Sequence, residues 1–139
     1  MPEDLLRSIG VLALEFARLE NAVANQVAAC FPDFEFSRLA SKPLSGLIAV
    51  ARQLLTAAGS PTETLDEIER LSYLRGHLLH ASASILNPVD DEWRGLHIGR
   101  MGVGRASRVH EIDEAAEDVR IATNLLMYEL FDISGEKLR

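Results

Sequence analysis

Arg75 and His80 are the two side chains of this sequence best suited to chemistry, and four residues separate them. Arginine keeps its charge at physiological pH and offers a planar fork of donors that matches a phosphate group. Histidine gains and loses protons close to neutral pH. Together, the two side chains could bind a phosphodiester and move protons around it without a metal ion.

The pair falls late in a segment with the apolar spacing of an amphipathic helix. Ser60 is expected to cap this helix, with Pro61 in its first turn and Glu63 completing a capping box. On a helical wheel, Arg75 lies within the apolar face, and His80 lies about 140° around the axis. His77 and Tyr73 lie on the same polar side of the helix as His80. These two residues are therefore candidate auxiliary groups.

An arginine within an apolar face requires an explanation, because an unpaired buried charge is costly. Arg75 should face an anionic partner, a water-filled cleft or a subunit interface. Glu20, at the edge of the apolar stripe of the first predicted helix, is the carboxylate that we expect to pair with it. The structural alternative is that Arg75 only ties two helices together, while His77 and His80 lie on the surface.

Apolar periodicity organises the rest of the chain into helices. The predicted helices run from Glu3 to about Ala29, from near Pro43 to near Gly59, from Ser60 to about Ile85, and from Asp113 to about Phe131. The tail from Ser134 to Arg139 is expected to be frayed. The fold class that follows is all-α, a four- to five-helix up-and-down bundle with a short glycine-rich hairpin or loop before the last helix.

Between the last two predicted helices, the glycine-rich segment from Trp93 to His110 is basic, and the acidic residues Asp90, Asp91 and Glu92 directly precede it. Its glycines and alternating apolar residues predict a short hairpin or an ordered loop. It contains no acidic residue, and its basic residues are Arg94, His97, Arg100, Arg105, Arg108 and His110. The four arginines are candidate contacts for RNA phosphates. The alternative is a solvated loop whose charges keep the chain soluble.

Composition limits the classes of function. The chain has 139 residues and a net charge of −7, which argues against wholesale nonspecific binding of nucleic acid. This length predicts a single domain covering residues 1–139. The single cysteine, Cys30, is expected to be a buried structural thiol. There is no signal-peptide pattern and no apolar run that could span a bilayer, so a cytoplasmic location without membrane contact is expected.

The Arg-x4-His pattern at 75–80 resembles the signature of the HEPN superfamily of small all-helical domains. The likeness extends over roughly Leu5 to Phe131, since that family has a long first helix, a second helix, a third helix with the motif and a closing fourth helix. The run from Leu14 to Glu20 resembles the Phe-x-x-Leu-Glu pattern of the first helix in several bacterial HEPN-like groups.

The resemblance implies a metal-independent endoribonuclease acting on RNA, and the toxin of a toxin–antitoxin or defence system is one role that such a domain has. Two subunits would pair through their motif helices and bring both copies of Arg75 and His80 into one cleft. His80 would activate the ribose 2′-hydroxyl or protonate the leaving 5′-oxygen, and Arg75 would hold the scissile phosphate. His77 would be an auxiliary donor and Tyr73 would stack on a base. No cofactor is implied.

Two other classes stay open. Gly76 and Ala81 stand where active members often have a polar residue and a glycine, which favours a catalytically inactive module that binds a protein partner, such as an antitoxin, or a nucleotide. A metal site has weaker support, because His77, His80, His97 and His110 lack carboxylates or cysteines at ligand spacing.

Overall fold

The computed structural model describes residues 3–80, 84–85, 94–98 and 104–137, and it describes side chains at 3–4, 6–73 and 110–135. The helices are α1 (Glu3–Cys30), α2 (Phe36–Ala40), α3 (Leu44–Ala57), α4 (Glu63–His80) and α5 (Val109–Lys137). Three short strands, β1 (Ser84–Ile85), β2 (Arg94–Ile98) and β3 (Gly104–Arg108), lie between α4 and α5. The helices pack against one another, and the predicted all-α bundle is confirmed.

Helix α1 covers the first predicted helix almost residue for residue. Its packing row is fully buried at Phe16, Leu19 and Val27, as the three- and four-residue spacing predicts. Cys30, expected to be buried, is instead half-buried and packs against the edge of the core. It is the last residue of α1.

Helix α2 was not predicted. It has five residues and a single buried side chain, Leu39. A helix of little more than one turn cannot repeat an apolar spacing, so periodicity does not detect it.

Helix α3 lies where the second helix was predicted, and its end is defined by a glycine. Gly59 adopts a positive φ of 71°, and its N–H donates to the Thr56 carbonyl at 3.0 Å. The Ser60 N–H donates to the Leu55 carbonyl at 2.9 Å. These two bonds form a Schellman motif, which satisfies carbonyl groups that the end of α3 would leave unpaired.

The predicted N-cap of α4, Ser60, is wrong by two residues. Ser60 is used to end α3, and the first helical bond of α4 runs from the Asp66 N–H to the Thr62 carbonyl at 3.0 Å. Thr62 is therefore the residue at the N-cap position. The predicted end near Ile85 is also wrong, because α4 ends at His80 and Ser84–Ile85 forms β1.

The glycine-rich segment contains the predicted hairpin. Strand β2 pairs antiparallel with β3, and β1 adds a third strand with Ser84 opposite Leu96. Helix α5 begins at Val109, directly after β3, rather than at the predicted Asp113.

The C-terminal tail was expected to fray from Ser134, but α5 continues to Lys137. Ile133 and Ser134 are each only 6% exposed. The Ser134 hydroxyl donates to the Phe131 carbonyl at 2.7 Å, which satisfies its hydrogen-bonding capacity inside the helix. Burial of Ile133 supplies the packing that keeps the last turns helical.

The core lies mainly between α1 and α5, where Phe16 and Leu19 meet a row of α5 that includes Leu126 and Leu130. Helix α4 packs antiparallel to α5. The Thr64 hydroxyl, near the start of α4, donates to Glu129 at 2.6 Å, whereas Arg70, further along α4, lies near Asp118.

Candidate functional site

The Arg-x4-His motif occupies the last turns of α4. The backbone of α4 is helical through His80, so the separation of positions 75, 77 and 80 is fixed by helix geometry. The side chains of Arg75, His77 and His80 lie outside the part of the chain whose side chains are described. Their contacts therefore stay predictions.

Described side chains earlier on α4 show which way these positions lie. Position 75 follows Ile68 by seven residues, which brings it back to within about 20° on the helix. Ile68 is 1% exposed and Leu71 is 2% exposed, and position 75 lies on the same side of the helix as these core residues. Position 80 follows Tyr73 by the same seven residues. Tyr73 is 68% exposed, and position 80 lies on the same side of the helix as Tyr73.

Glu20 lies within the packing row of α1. It follows Phe16 by four residues and precedes Val23 by three, and both of these neighbours are at most 2% exposed. Glu20 itself is half-buried. Helices α1 and α4 are in contact, as a pair between them requires. The Glu20–Arg75 pair stays a prediction.

The basic residues of the hairpin divide between the two faces of the sheet. Position 94 pairs with position 108, and position 97 pairs with position 105. Because successive residues of a strand alternate between faces, the first pair and the second pair lie on opposite faces. Arg94, Arg105 and Arg108 therefore do not all lie on one face of the sheet. Arg100 lies outside the described residues.

The hairpin nevertheless lies beside the motif helix. Strand β2 contacts α4, and β3 leads directly into α5. Strand β1 begins four positions after His80, the last residue of α4. The sheet is therefore attached to the end of α4 that carries the motif.

A groove between α4 and α5 is the best-described concave feature. We call it the α4–α5 groove; it has a volume of about 180 Å³ and is lined by Thr64, Glu67, Asp118, Ile121, Ala122 and Leu125. Position 75 lies eight residues beyond Glu67, which is about 12 Å along the helix. The groove is thus separate from the predicted Arg75–His80 site.

The groove has an acidic wall. The Arg70 guanidinium donates to both Glu67 oxygens, at 2.9 Å and 2.6 Å, and this bond lowers the pKa of the Glu67 carboxyl. Glu67 is therefore charged at neutral pH. Beside the groove, Glu129 accepts the Thr64 hydroxyl at one oxygen, while its other oxygen is buried and has no hydrogen-bond partner among the described residues.

Sequence reasoning missed this groove and the exposed apolar residues next to it. Ile121, Leu125 and Tyr128 follow a four- and three-residue spacing of their own, distinct from the core row of α5. This second apolar row was the signal in the sequence that could have indicated the surface. A sequence alone, however, does not show which of two apolar rows on a helix is buried in the core.

The described histidine and acidic side chains give no support to a metal centre. Within the described residues there is no group of three or more histidine, cysteine, aspartate or glutamate side chains that could hold a metal ion. His110 lies in the first turn of α5 and is exposed, whereas the side chain of His97 is outside the described set. Nor does any helix in the described part of the chain have the length and hydropathy needed to cross a membrane.

Comparisons with protein-family models, with curated proteins and with solved structures find no match to this chain. The motif, the order of helices and the geometry of α4 are therefore the basis for any functional assignment.

Proposed function

We propose that this chain is a HEPN-like domain that cleaves RNA without a metal ion through Arg75 and His80. The observation that carries the proposal is the position of residue 75 on α4. A permanent cation follows the buried row of Leu65, Ile68 and Leu71, two turns beyond Ile68. Such a placement is costly unless the cation serves a polar site.

The chemistry follows from the two side chains. His80, as a base, would take the proton of the ribose 2′-hydroxyl while that oxygen attacks the adjacent phosphorus. The bond from phosphorus to the 5′-oxygen would break, and an imidazolium would give that oxygen its proton. Arg75 would neutralise the charge that builds on the phosphoryl oxygens. The products would be a 2′,3′-cyclic phosphate and a 5′-hydroxyl.

A second copy of the chain would complete this site. Positions 75 and 80 are about 140° apart around α4, so one helix does not direct both side chains toward one phosphate from the same side. A dimer formed through α4 would set Arg75 of one copy beside His80 of the other. It would also supply two imidazoles, one as base and one as acid.

Tyr73 and the hairpin fit around such a site. Tyr73 is 68% exposed and lies on the same side of α4 as position 80, so its ring is available for stacking on a base. Arg94, Arg105 and Arg108 belong to strands attached to the same end of the helix. They would hold flanking phosphates on the two faces of the sheet.

Cleavage of a structured RNA in excess EDTA tests the proposal. The wild-type chain should cut, and His80→Ala should lose about two to four orders of magnitude in rate. His110→Ala is the matched control, because it removes an exposed imidazole in the first turn of α5, outside the proposed site, and should retain most of the activity. Circular dichroism must show that both variants keep the fold. Equal activity of His80→Ala and wild type would overturn the proposal.

The alternative is a catalytically inactive HEPN-like module that binds a protein partner, in the manner of a toxin with its antitoxin, or a nucleotide. The exposed apolar residues Ile121, Leu125 and Tyr128 of α5 favour a protein partner. This alternative predicts no cleavage in EDTA by the wild-type chain, together with a stable complex.

A further inference from the structure

Helix α5 carries a row of exposed apolar side chains on the side opposite the core. We call this row the α5 stripe; it comprises Ile121 at 45%, Leu125 at 52%, Phe131 at 64% and Tyr128 at 71% exposure. Ile121, Leu125 and Tyr128 are spaced by four and three residues, so they align along one side of the helix over about two turns. Solvent-exposed apolar side chains in such a cluster mark an interaction surface.

The α4–α5 groove runs beside the α5 stripe and shares Ile121 and Leu125 with it. Ala122, a small side chain that is 4% exposed, is among the residues that line the groove. The side chains of the α5 stripe project from the surface, and the α4–α5 groove beside them is a depression. An amphipathic helix packs its apolar side chains on a surface of this shape.

The charges around this surface are acidic. Asp118 lines the groove, and Glu114 and Asp132 lie on the same side of α5 as the stripe, one turn or more before and after it. Glu67 on α4 adds no net charge, because the Arg70 guanidinium donates to both of its oxygens, so the negative charge of the rim comes from Asp118, Glu114 and Asp132. The rim therefore repels an acidic partner and attracts a basic one.

This charge pattern argues against a second copy of the chain as the occupant. Two α5 helices related by a twofold axis at Leu125 would run antiparallel, which sets position 118 of one copy opposite position 132 of the other. Both positions are aspartates. Like charges facing each other across an interface are destabilising.

We propose that the α5 stripe and the α4–α5 groove bind an amphipathic helix of a partner protein, with apolar residues at helical spacing and lysine or arginine on its flanks. The apolar residues would pack on Leu125 and Tyr128 and fill the groove, and the basic flanks would face Asp118 and Asp132. This inference is independent of catalysis, since the surface is separate from Arg75 and His80.

Two synthetic peptides test the inference with the full chain. Both have about four helical turns with leucine at helical spacing, and they differ only in lysine or glutamate at the flanking positions. The lysine peptide should bind about tenfold or more tightly than the glutamate peptide in a fluorescence anisotropy titration. Asp118→Asn combined with Asp132→Asn should reduce that preference.

Leu125→Ser should weaken binding of the lysine peptide about tenfold. Leu14→Ser is the matched control, because Leu14 has a similar exposure of 51% but lies on α1, and it should bind as wild type does. Equal binding of the two peptides, or no effect of Leu125→Ser, would overturn the proposal. So would a dimer of the free chain in sedimentation that Leu125→Ser dissociates, because a second copy would then be the occupant.

Discussion

Arg75 and Glu20 are the residues whose relation decides how the predicted site is held together. Glu20 is half-buried within the packing row of α1, and position 75 lies on the same side of α4 as the buried Ile68. In the predicted pair the carboxylate and the guanidinium would stabilise each other, whereas either one alone would be a partly buried charge. The pair would also fix the position of the Arg75 guanidinium along the axis of α4.

A double-mutant cycle of Glu20→Gln and Arg75→Gln measures this interaction. We expect a coupling free energy of about 1 kcal/mol or more in chemical unfolding, as for charged groups in direct contact. The same cycle with Arg70→Gln in place of Arg75→Gln is the control and should be additive, because Arg70 pairs with Glu67. Additivity of Glu20→Gln with Arg75→Gln would show that the two side chains do not touch.

The Glu67–Arg70 pair allows a prediction of pH dependence. The bonds from Arg70 lower the pKa of Glu67 from its ordinary value of 4.5. The pair therefore contributes its full stability above pH 4.5, and this contribution is lost as the pH falls through the lower pKa of the folded state.

An NMR titration of the Glu67 carboxyl should show a pKa below 4.5 in the wild type and a return toward 4.5 in Arg70→Gln. Arg120→Gln removes the equivalent partner of Glu117 on α5 and should leave the pKa of Glu67 as it is. An unchanged pKa of Glu67 in Arg70→Gln would contradict the assignment of the cause.

Among the helices, α3 and α4 are joined by a surface cluster of charges. Arg52 on α3 lies 2.9 Å from Asp66 and 3.1 Å from Glu69 on α4. The hydrogen bond to Asp66 is the main cause of the raised pKa of Arg52. The arginine is one-third exposed, so water and salt screen the interaction and its contribution is modest.

We expect Arg52→Ala to lower the free energy of unfolding by about 0.5–1 kcal/mol at low salt, with a smaller effect at high salt. Arg38→Ala is a suitable control, since Arg38 is 82% exposed and lies 3.6 Å from its partner Glu35. The control should unfold as the wild type does in urea. A loss at Arg38 equal to that at Arg52 would contradict the role of the α3–α4 cluster.

The accuracy with which the sequence predicts a helix or strand depends on the length of that helix or strand. Long helices such as α1 repeat their apolar spacing many times, so periodicity locates them well. The short α2 and the two-residue β1 carry too few residues for any period, and β1 is defined by its partner strand. The start of α4 was misplaced because Ser60 can cap a helix, yet its N–H is already bonded to the end of α3.

The candidate site, too, is only partly predictable from the sequence. The residue types and their separation on α4 follow from the sequence, because a helix fixes both. The division of the hairpin arginines between two sheet faces does not, since it depends on the register that pairs position 94 with position 108. The α5 stripe also required the structure, because only packing shows which of its two apolar rows is buried.

For the whole molecule, the proposal requires two copies of the chain in one active unit. A chain that pairs through α4 should sediment as a dimer, and its specific activity should fall on dilution below the dissociation constant. An excess of inactive His80→Ala chain should also inhibit the wild type, because mixed dimers contain a single His80. Constant specific activity over a wide dilution range, with a monomer in sedimentation, would contradict the shared site.

The most direct test of the account is to replace one ribose at a mapped cleavage position of an RNA substrate by 2′-deoxyribose. Because the proposed nucleophile is that 2′-hydroxyl, the wild-type chain should no longer cut there, while other positions are still cut and end in a 2′,3′-cyclic phosphate. Cleavage at the deoxy position at an undiminished rate would contradict the account.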